Sequence, residues 1–196
     1  MTTLLVNCYL RDAEEKMPHY RRLCTGHSYE VREVTARELR PGFDLAGISA
    51  VVITGSQWML AQEPPPAGLV GFCRSLTIPT LGICFGHQLL ASSFGATVAR
   101  GERFLEFDER VELLEDWPLF RGLGGETVMR ESHREFVTPE SLSLIGWQLG
   151  ARSDSCPVEA IRHPDLPLYG VQFHPERSGE PGVRLVGNFF TTIAEA

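Results

Sequence analysis

The sequence predicts an α/β protein: a three-layer sandwich with a mostly parallel open sheet flanked by helices, plus a small antiparallel portion. Three observations point there. The run ISAVVITGS (48–56) is apolar with little alternation, as in a strand that helices cover on both faces. The first half of the chain alternates strand-like and helix-like segments, the pattern of stacked βα units. The second half is richer in short strand-like segments than in helices.

Taken in order, TTLLVNCYL (2–10) reads as a first buried strand. Asp12 followed by Glu15 reads as a capping box opening a helix that carries Ala13, Met17, Tyr20 and Cys24 on one face. SYEVREV (28–34) and ISAVVITGS are the next strands, and QEPPPAG (62–68) is a stiff break before a helix with Leu69, Cys73 and Leu76 at helical spacing. IPTLGICFGHQLLASSFGA (78–96) is a strand running straight into a helix with Phe85, Leu89, Leu90 and Phe94 apolar and Gly95 as its C-cap. TVARGE, RFLEFDERVELL, ETVMRES, LSLIGWQLGA, PVEAIRH and LYGVQFH follow as strand candidates. PGVRLVGNFFTTIAEA (181–196) closes the chain as a helix with Val183, Val186, Phe189, Phe190 and Ile193 on one face. Residues 1–196 are expected to form a single domain, because no linker or internal repeat stands out.

Composition narrows the function. With 43% hydrophobic residues the chain can bury a full core, and its net charge of −7, from 18 basic and 25 acidic residues without a basic run, argues against nucleic acid as a partner. The N-terminal apolar stretch is far too short to span a bilayer and lacks the marks of a leader, so a cytoplasmic protein without membrane attachment is expected. Cys8, Cys24, Cys73, Cys84 and Cys156 fall at irregular spacing with no C-x-x-C pair, which suits neither a disulfide framework nor a zinc site; reduced thiols, no metal and no cofactor are expected.

One cysteine stands apart. Gly82-Ile83-Cys84-Phe85-Gly86 has the form G-x-nucleophile-x-G, in which a sharp strand-to-helix turn lifts a nucleophile above the sheet edge. The following helix points free N–H groups at the sulfur, which stabilises negative charge there. A base is then required. Of six histidines, only His174 sits in a directed context, YGVQFHPERSG, where a β-rich run ends in His-Pro-Glu. That places His174 and Glu176 at the edge where open α/β sheets gather their catalytic groups, and the carboxylate can orient the imidazole.

GICFGHQLLA, YGVQFHPE and LVGNFF together resemble the class I, or triad, glutamine amidotransferases, in a form similar to the glutaminase domain of GMP synthases and to stand-alone members. The order of elements matches over nearly the whole chain. The resemblance implies the flavodoxin-like sandwich of that family, a Cys84 nucleophile, His174 as general base and acid, and Glu176 as its orienter. It further implies a γ-glutamyl thioester on Cys84 and an oxyanion hole, each donor of which contributes about 3–4 kcal/mol in comparable enzymes. The N–H of Phe85 is one candidate donor, and Gly55 in ITGSQW matches the family's glycine loop. That loop reads Gly55-Ser56-Gln57 here, where many members have Gly-x-Gly-Pro or Gly-Gly-Pro. Gln88 matches a glutamine-binding residue, whereas His87 is expected to be structural. RESHREFV (130–137) matches a substrate-contacting loop through Ser132 and His133, with Arg134 and Glu135 replacing Gly and Asp. Arg134 is a cation able to meet a substrate α-carboxylate.

Three functions follow from these residues. The first is a glutaminase that supplies ammonia to a separate synthetase, since no phosphate-binding loop for activating an acceptor is present. The second is a stand-alone γ-glutamyl peptidase or hydrolase, toward which the Gly55-Ser56 loop and Arg134 lean. The third is a non-enzymatic redox or regulatory module, against which the Cys84, His174 and Glu176 set argues.

Overall fold

Among the described residues, nine strands join in one sheet whose two halves differ in direction. The structure is a computed structural model that describes residues 1–28 and 30–194. Along the chain run β1 (Thr2–Asn7), α1 (Ala13–Thr25), β2 (Glu30–Thr35), β3 (Ala50–Ile53), α2 (Ala67–Ser75), β4 (Thr80–Ile83) and α3 (Phe85–Ser93). Then come β5 (Val98–Leu113), β6 (Glu126–Val137), α4 (Pro139–Leu144), β7 (Gln148–Ser153), β8 (Ala160–Arg162), β9 (Leu168–Val171) and α5 (Gly179–Asn188). The strand order is β2-β1-β3-β4-β9-β8-β7-β5-β6. Strands β2, β1, β3, β4 and β9 are mutually parallel, and every pairing from β9 to β6 is antiparallel.

Strand periodicity sorts the parallel half into two cores. Leu5, Val52, Leu81 and Ile83 face one side, against Met17, Tyr20 and Cys24 of α1 and Leu185, Val186, Phe189 and Phe190 at the C-terminal end. Leu4, Val6, Val51 and Ile53 face the other, against Leu69, Phe72 and Cys73 of α2 and Leu89, Leu90 and Ala91 of α3. The three-layer α/β sandwich is as the sequence predicts. The antiparallel portion is larger than short segments suggest, because TVARGE and RFLEFDERVELL form one strand, β5, with a register break between Arg100 and Leu105.

Several local expectations are corrected. Asp12 does precede α1, but its backbone is left-handed at φ 59° and its side chain makes no cap; its carbonyl instead accepts the N–H groups of Glu15 and Lys16. LSLIGWQLGA is not one strand. Pro139–Leu144 is helical, Gly146 turns at φ 73°, and only Gln148 onward pairs with the sheet. The closing helix buries Gly182, Leu185, Val186, Phe189 and Phe190, leaving Val183 53% exposed. The reason is at Gly182, where a Cβ would collide with the Pro175 carbonyl; that close approach fixes the helix phase and turns Val183 outward. Glu195 and Ala196 of that segment, and Tyr29 of SYEVREV, lie outside the described residues.

The β4–α3 turn is a tight junction between backbones. A Cβ on Gly82 would lie 2.5 Å from the Gly86 carbonyl, and one on Gly86 would strike the Ile53 carbonyl. Both contacts are to backbone, which cannot step aside as a side chain can. Gly86→Ala should therefore destabilise the protein by about 1–3 kcal/mol or more, as overpacked sites do. Thermal unfolding should show this as a fall in Tm of at least a few degrees; an unchanged Tm would mean that α3 is free to shift.

Candidate active site

At that junction Cys84 has φ 52°, a conformation rarely adopted by a residue with a Cβ. Its N–H donates to the Val171 carbonyl at 2.8 Å, tying the turn to the end of β9. Phe85 opens α3, so its N–H has no intrahelical acceptor and stands beside the sulfur. The thiol is 6% exposed and lies 3.9 Å from the Ser132 carbonyl. The Gln172 side-chain amide donates to the sulfur at 3.6 Å.

His174 follows β9 on the same edge. Its N–H donates to the Arg130 carbonyl, and its carbonyl accepts from Ser178, so both neighbouring segments hold its backbone. Nδ1 meets Glu176 Oε1 at 2.6 Å, with the two side chains 6% and 2% exposed. Burial opposes charge on the imidazole, but the Glu176 carboxylate, and after it the Cys84 sulfur, outweigh burial and hold the His174 pKa well above 6.5. Burial likewise opposes the Glu176 carboxylate, yet His174 keeps its pKa below the usual value. Two buried groups thus hold each other ionised.

A cavity of about 450 Å³ opens over this set, lined among others by Cys84, Gln88, Ser132, His174, Trp58 and Phe104. Phe85, His133, Arg134 and Glu176 also reach it. Several of these side chains already have protein partners. Gln88 donates to the Glu135 carbonyl at 2.7 Å and to Gln172 at 3.0 Å. The Ser132 hydroxyl donates to Glu106 at 2.5 Å. Arg134 donates to the carbonyls of Gly101 and Glu102 at 3.1 and 2.9 Å, so the cation at the cavity rim is already engaged in pinning the irregular stretch of β5. The Gly55 N–H donates to the Tyr20 hydroxyl at 3.2 Å, and Tyr20 in turn bonds Tyr9. His87 is fully buried away from the cavity, where burial drives its pKa down to about 3.

RESHREFV is not a loop. It is the second half of β6, and alternation sends Glu131, His133 and Glu135 inward while Ser132 and Arg134 face the other way. Sequence reasoning also missed Gln172 and Glu106. Burial works against charge on Glu106, but Ser132, Arg130 and Arg177 overcome it and lower its pKa to about 2. No signal marks Glu106 in sequence, whereas Gln172 lies two residues before His174 in the segment that follows β9, close enough in sequence to be weighed with it.

Fold and site together define an α/β protein with a cysteine on a nucleophile elbow facing a buried His–Glu pair. The family model for glutamine amidotransferase class-I matches residues 46–193. The chain is 44% identical over 125 residues to the glutamine-hydrolysing GMP synthase subunit of Pyrococcus furiosus, covering 62% of this chain and 64% of that protein. It is 38% identical over 151 residues to the protein of the same name from Methanosarcina mazei, covering 70% and 78%. Matches to the Pyrococcus furiosus and Thermococcus kodakarensis relatives thus span 64% and 62% of their lengths. Among solved structures, a protein from Thermoplasma acidophilum described as a GMP synthase subunit superposes with a TM-score of 0.80 at 24% identity, covering 97% of this chain and 92% of that one. A glutamine amidotransferase from Thermotoga maritima gives 0.67 at 19%, covering 96% and 82%, and both are likenesses of fold. The chain belongs to the class I glutamine amidotransferase family.

The ion pair can be checked by NMR titration of His174. Its pKa should fall in Glu176→Gln and fall by less in Cys84→Ala, the order in which these groups stabilise the imidazolium. An unchanged value in Glu176→Gln would remove the carboxylate as the cause.

Proposed function

We propose that this chain is a cytoplasmic, soluble glutaminase that hydrolyses the glutamine side-chain amide and hands ammonia to a separate synthetase, as the designation of its relatives suggests for a GMP-forming partner. The observation that carries the reading is Cys84 held at positive φ on the edge occupied by the buried His174–Glu176 pair. The Cys84 sulfur attacks the γ-carboxamide carbon, and His174 gives its proton to the departing ammonia, leaving a γ-glutamyl thioester. His174 then takes a proton from water, which attacks the thioester and releases glutamate. Glu176 stabilises the imidazolium throughout and keeps Nδ1 protonated, so that Nε2 does the transfer. The oxygen that turns negative at each addition meets the Phe85 N–H.

The second donor bears on partner dependence. With the Gly55 N–H committed to the Tyr20 hydroxyl, the peptide must rotate before it can serve an oxyanion. A docked synthetase is the natural cause of that rotation. The isolated chain should then show weak glutaminase activity that rises about 10²–10³-fold, mainly in kcat, when the synthetase is added, because a donor supplied only in the transition state acts on kcat. A stand-alone γ-glutamyl hydrolase is the second reading, favoured by a cavity of about 450 Å³ that exceeds what free glutamine needs. Glutamate release from glutamine and from γ-glutamyl peptides, with and without the synthetase, decides: strong unaided turnover on a peptide would retire the partner reading.

The roles within the triad are separable. Cys84→Ala should abolish glutamate release, and a glutamine-like electrophile should label Cys84 alone among the five cysteines. His174→Ala should lose nearly all turnover, and Glu176→Gln should lose less, since orienting groups contribute less than the base they orient. Greater damage from His133→Ala or His87→Ala in kcat would reassign the base.

A further inference from the structure

On the inward face of β6 lies a second set of buried polar groups that the proposed reaction does not use, of which His133 alone also reaches the active-site cavity. Glu131 and His133 point into it from β6, Glu109 from β5, and Cys156 and Glu159 from the segment entering β8. Glu131, Cys156 and Glu159 are 0% exposed and His133 is 4% exposed. We propose that His133, Cys156 and Glu159 form a binding site for one divalent transition-metal cation of the zinc type, with the Glu131 carboxylate beside His133 adding negative charge to it.

The donor atoms are already gathered. One ligand atom each of His133, Cys156 and Glu159 lie within 4.8 Å of one another, and the same holds for Glu109, Glu131 and Glu159. His133 Nδ1 sits 3.0 Å from the Glu135 carbonyl, which can only accept, so Nδ1 carries the proton and Nε2 turns its lone pair inward. This is the arrangement that orients metal-binding histidines, with the outer nitrogen donating to a backbone carbonyl. Nε2 then faces Glu131 Oε2 at 3.0 Å, two acceptors with nothing between them but a cation or a proton.

A single shared proton does not satisfy the set. Both oxygens of Glu131 and Oε2 of Glu159 are buried with no hydrogen-bond donor among the described residues. The outer carboxylate oxygens are, by contrast, well served. The Ser153 hydroxyl, with one proton to give, lies 2.7 Å from Glu159 Oε1 and 3.0 Å from Glu109 Oε2, and the Ser155 N–H and hydroxyl both donate to Glu109. The serines thus steady the carboxylates from outside and leave the inner oxygens facing Nε2 and the thiol. Imidazole, thiol and carboxylate together suit zinc or its neighbours better than magnesium or calcium, which take oxygen throughout. A shallow cavity of about 210 Å³ lined by His133 and Ser155 gives an entry path from the surface. The ligands come from strands far apart in sequence, so no local zinc-binding spacing announces them.

The test is cobalt titration of the full-length Cys84→Ser protein, a background that removes the active-site thiol as a competing ligand. The expected result is uptake of one equivalent of Co²⁺, with a near-ultraviolet thiolate-to-cobalt band and visible bands of a tetrahedral ion, both displaced by Zn²⁺. Adding Cys156→Ser should abolish the near-ultraviolet band, and adding Glu159→Gln should weaken binding about tenfold or more. Glu131→Gln, an isosteric change that keeps the core filled, should weaken binding likewise should the cysteine variant fail to fold. Protein that stays colourless with Co²⁺ and retains no zinc after dialysis overturns the site, as does a thiolate band that survives Cys156→Ser.

Discussion

The approach of α3 to the sheet is the constraint on which the rest of the site depends. With hydrogen in place of a side chain at Gly82 and Gly86, the first turn of the helix rests directly on the backbone of β3 and β4. The chain must then reverse direction within one residue, which forces Cys84 to φ 52°. That strained position aims the side chain out of the sheet edge, leaves the Phe85 N–H uncommitted, and puts the thiol beside the end of β9. A larger residue at either glycine would lift the helix and move all three features at once. Strain at one residue, of order 1–3 kcal/mol, is sustained by the packing of Leu89, Leu90 and Ala91 beneath it.

The parallel half of the sheet, the elbow and the His174–Glu176 pair were legible because their signals are local. A continuous apolar run, a G-x-C-x-G turn and a His-Pro-Glu strand end each declare themselves within a few residues. What was illegible depends on partners distant in sequence. Ser132 and Arg134 read as loop residues, yet pairing with β5 makes them part of a strand, and the partners of their side chains, Glu106 and the carbonyls of Gly101 and Glu102, lie some 26 to 33 residues away. Val183 was misplaced because helix phase is set by a backbone contact at Gly182 that no hydrophobic period encodes. Asp12 was misread because a capping motif specifies side-chain types, while the backbone there took the left-handed region that Asp tolerates.

The inward face of β6 shows the same limit from another direction. Thr127, Met129, Glu131, His133, Glu135 and Val137 alternate as a half-buried strand should, but three of the six are ionisable. Read by hydropathy, such a strand is ambiguous about which face is the core. The register with β5 resolves it and brings Glu131 and His133 under the active site, where the ordinary rule against buried charge would otherwise forbid them.

Two buried His–Glu pairs therefore sit close together with opposite electrostatics. In His174–Glu176 the imidazole titrates above its usual range, raised against burial first by the carboxylate and then by the Cys84 sulfur, and the imidazole in turn holds the carboxyl below its own. In His133–Glu131 burial lowers the imidazole and pushes the carboxyl up to about 8, with the nearby Glu109 adding repulsion. The chemistry of the side chains is the same in both, so the difference lies in what else shares the space. A sulfur beside the histidine favours the ion pair, while a second carboxylate beside the first makes an acidic pocket that holds protons or a cation. Nor are the pairs independent, since His174 lowers the pKa of Glu131 and also lowers that of His133. A change of charge at Glu131 or His133 is thus felt at the His174 imidazole.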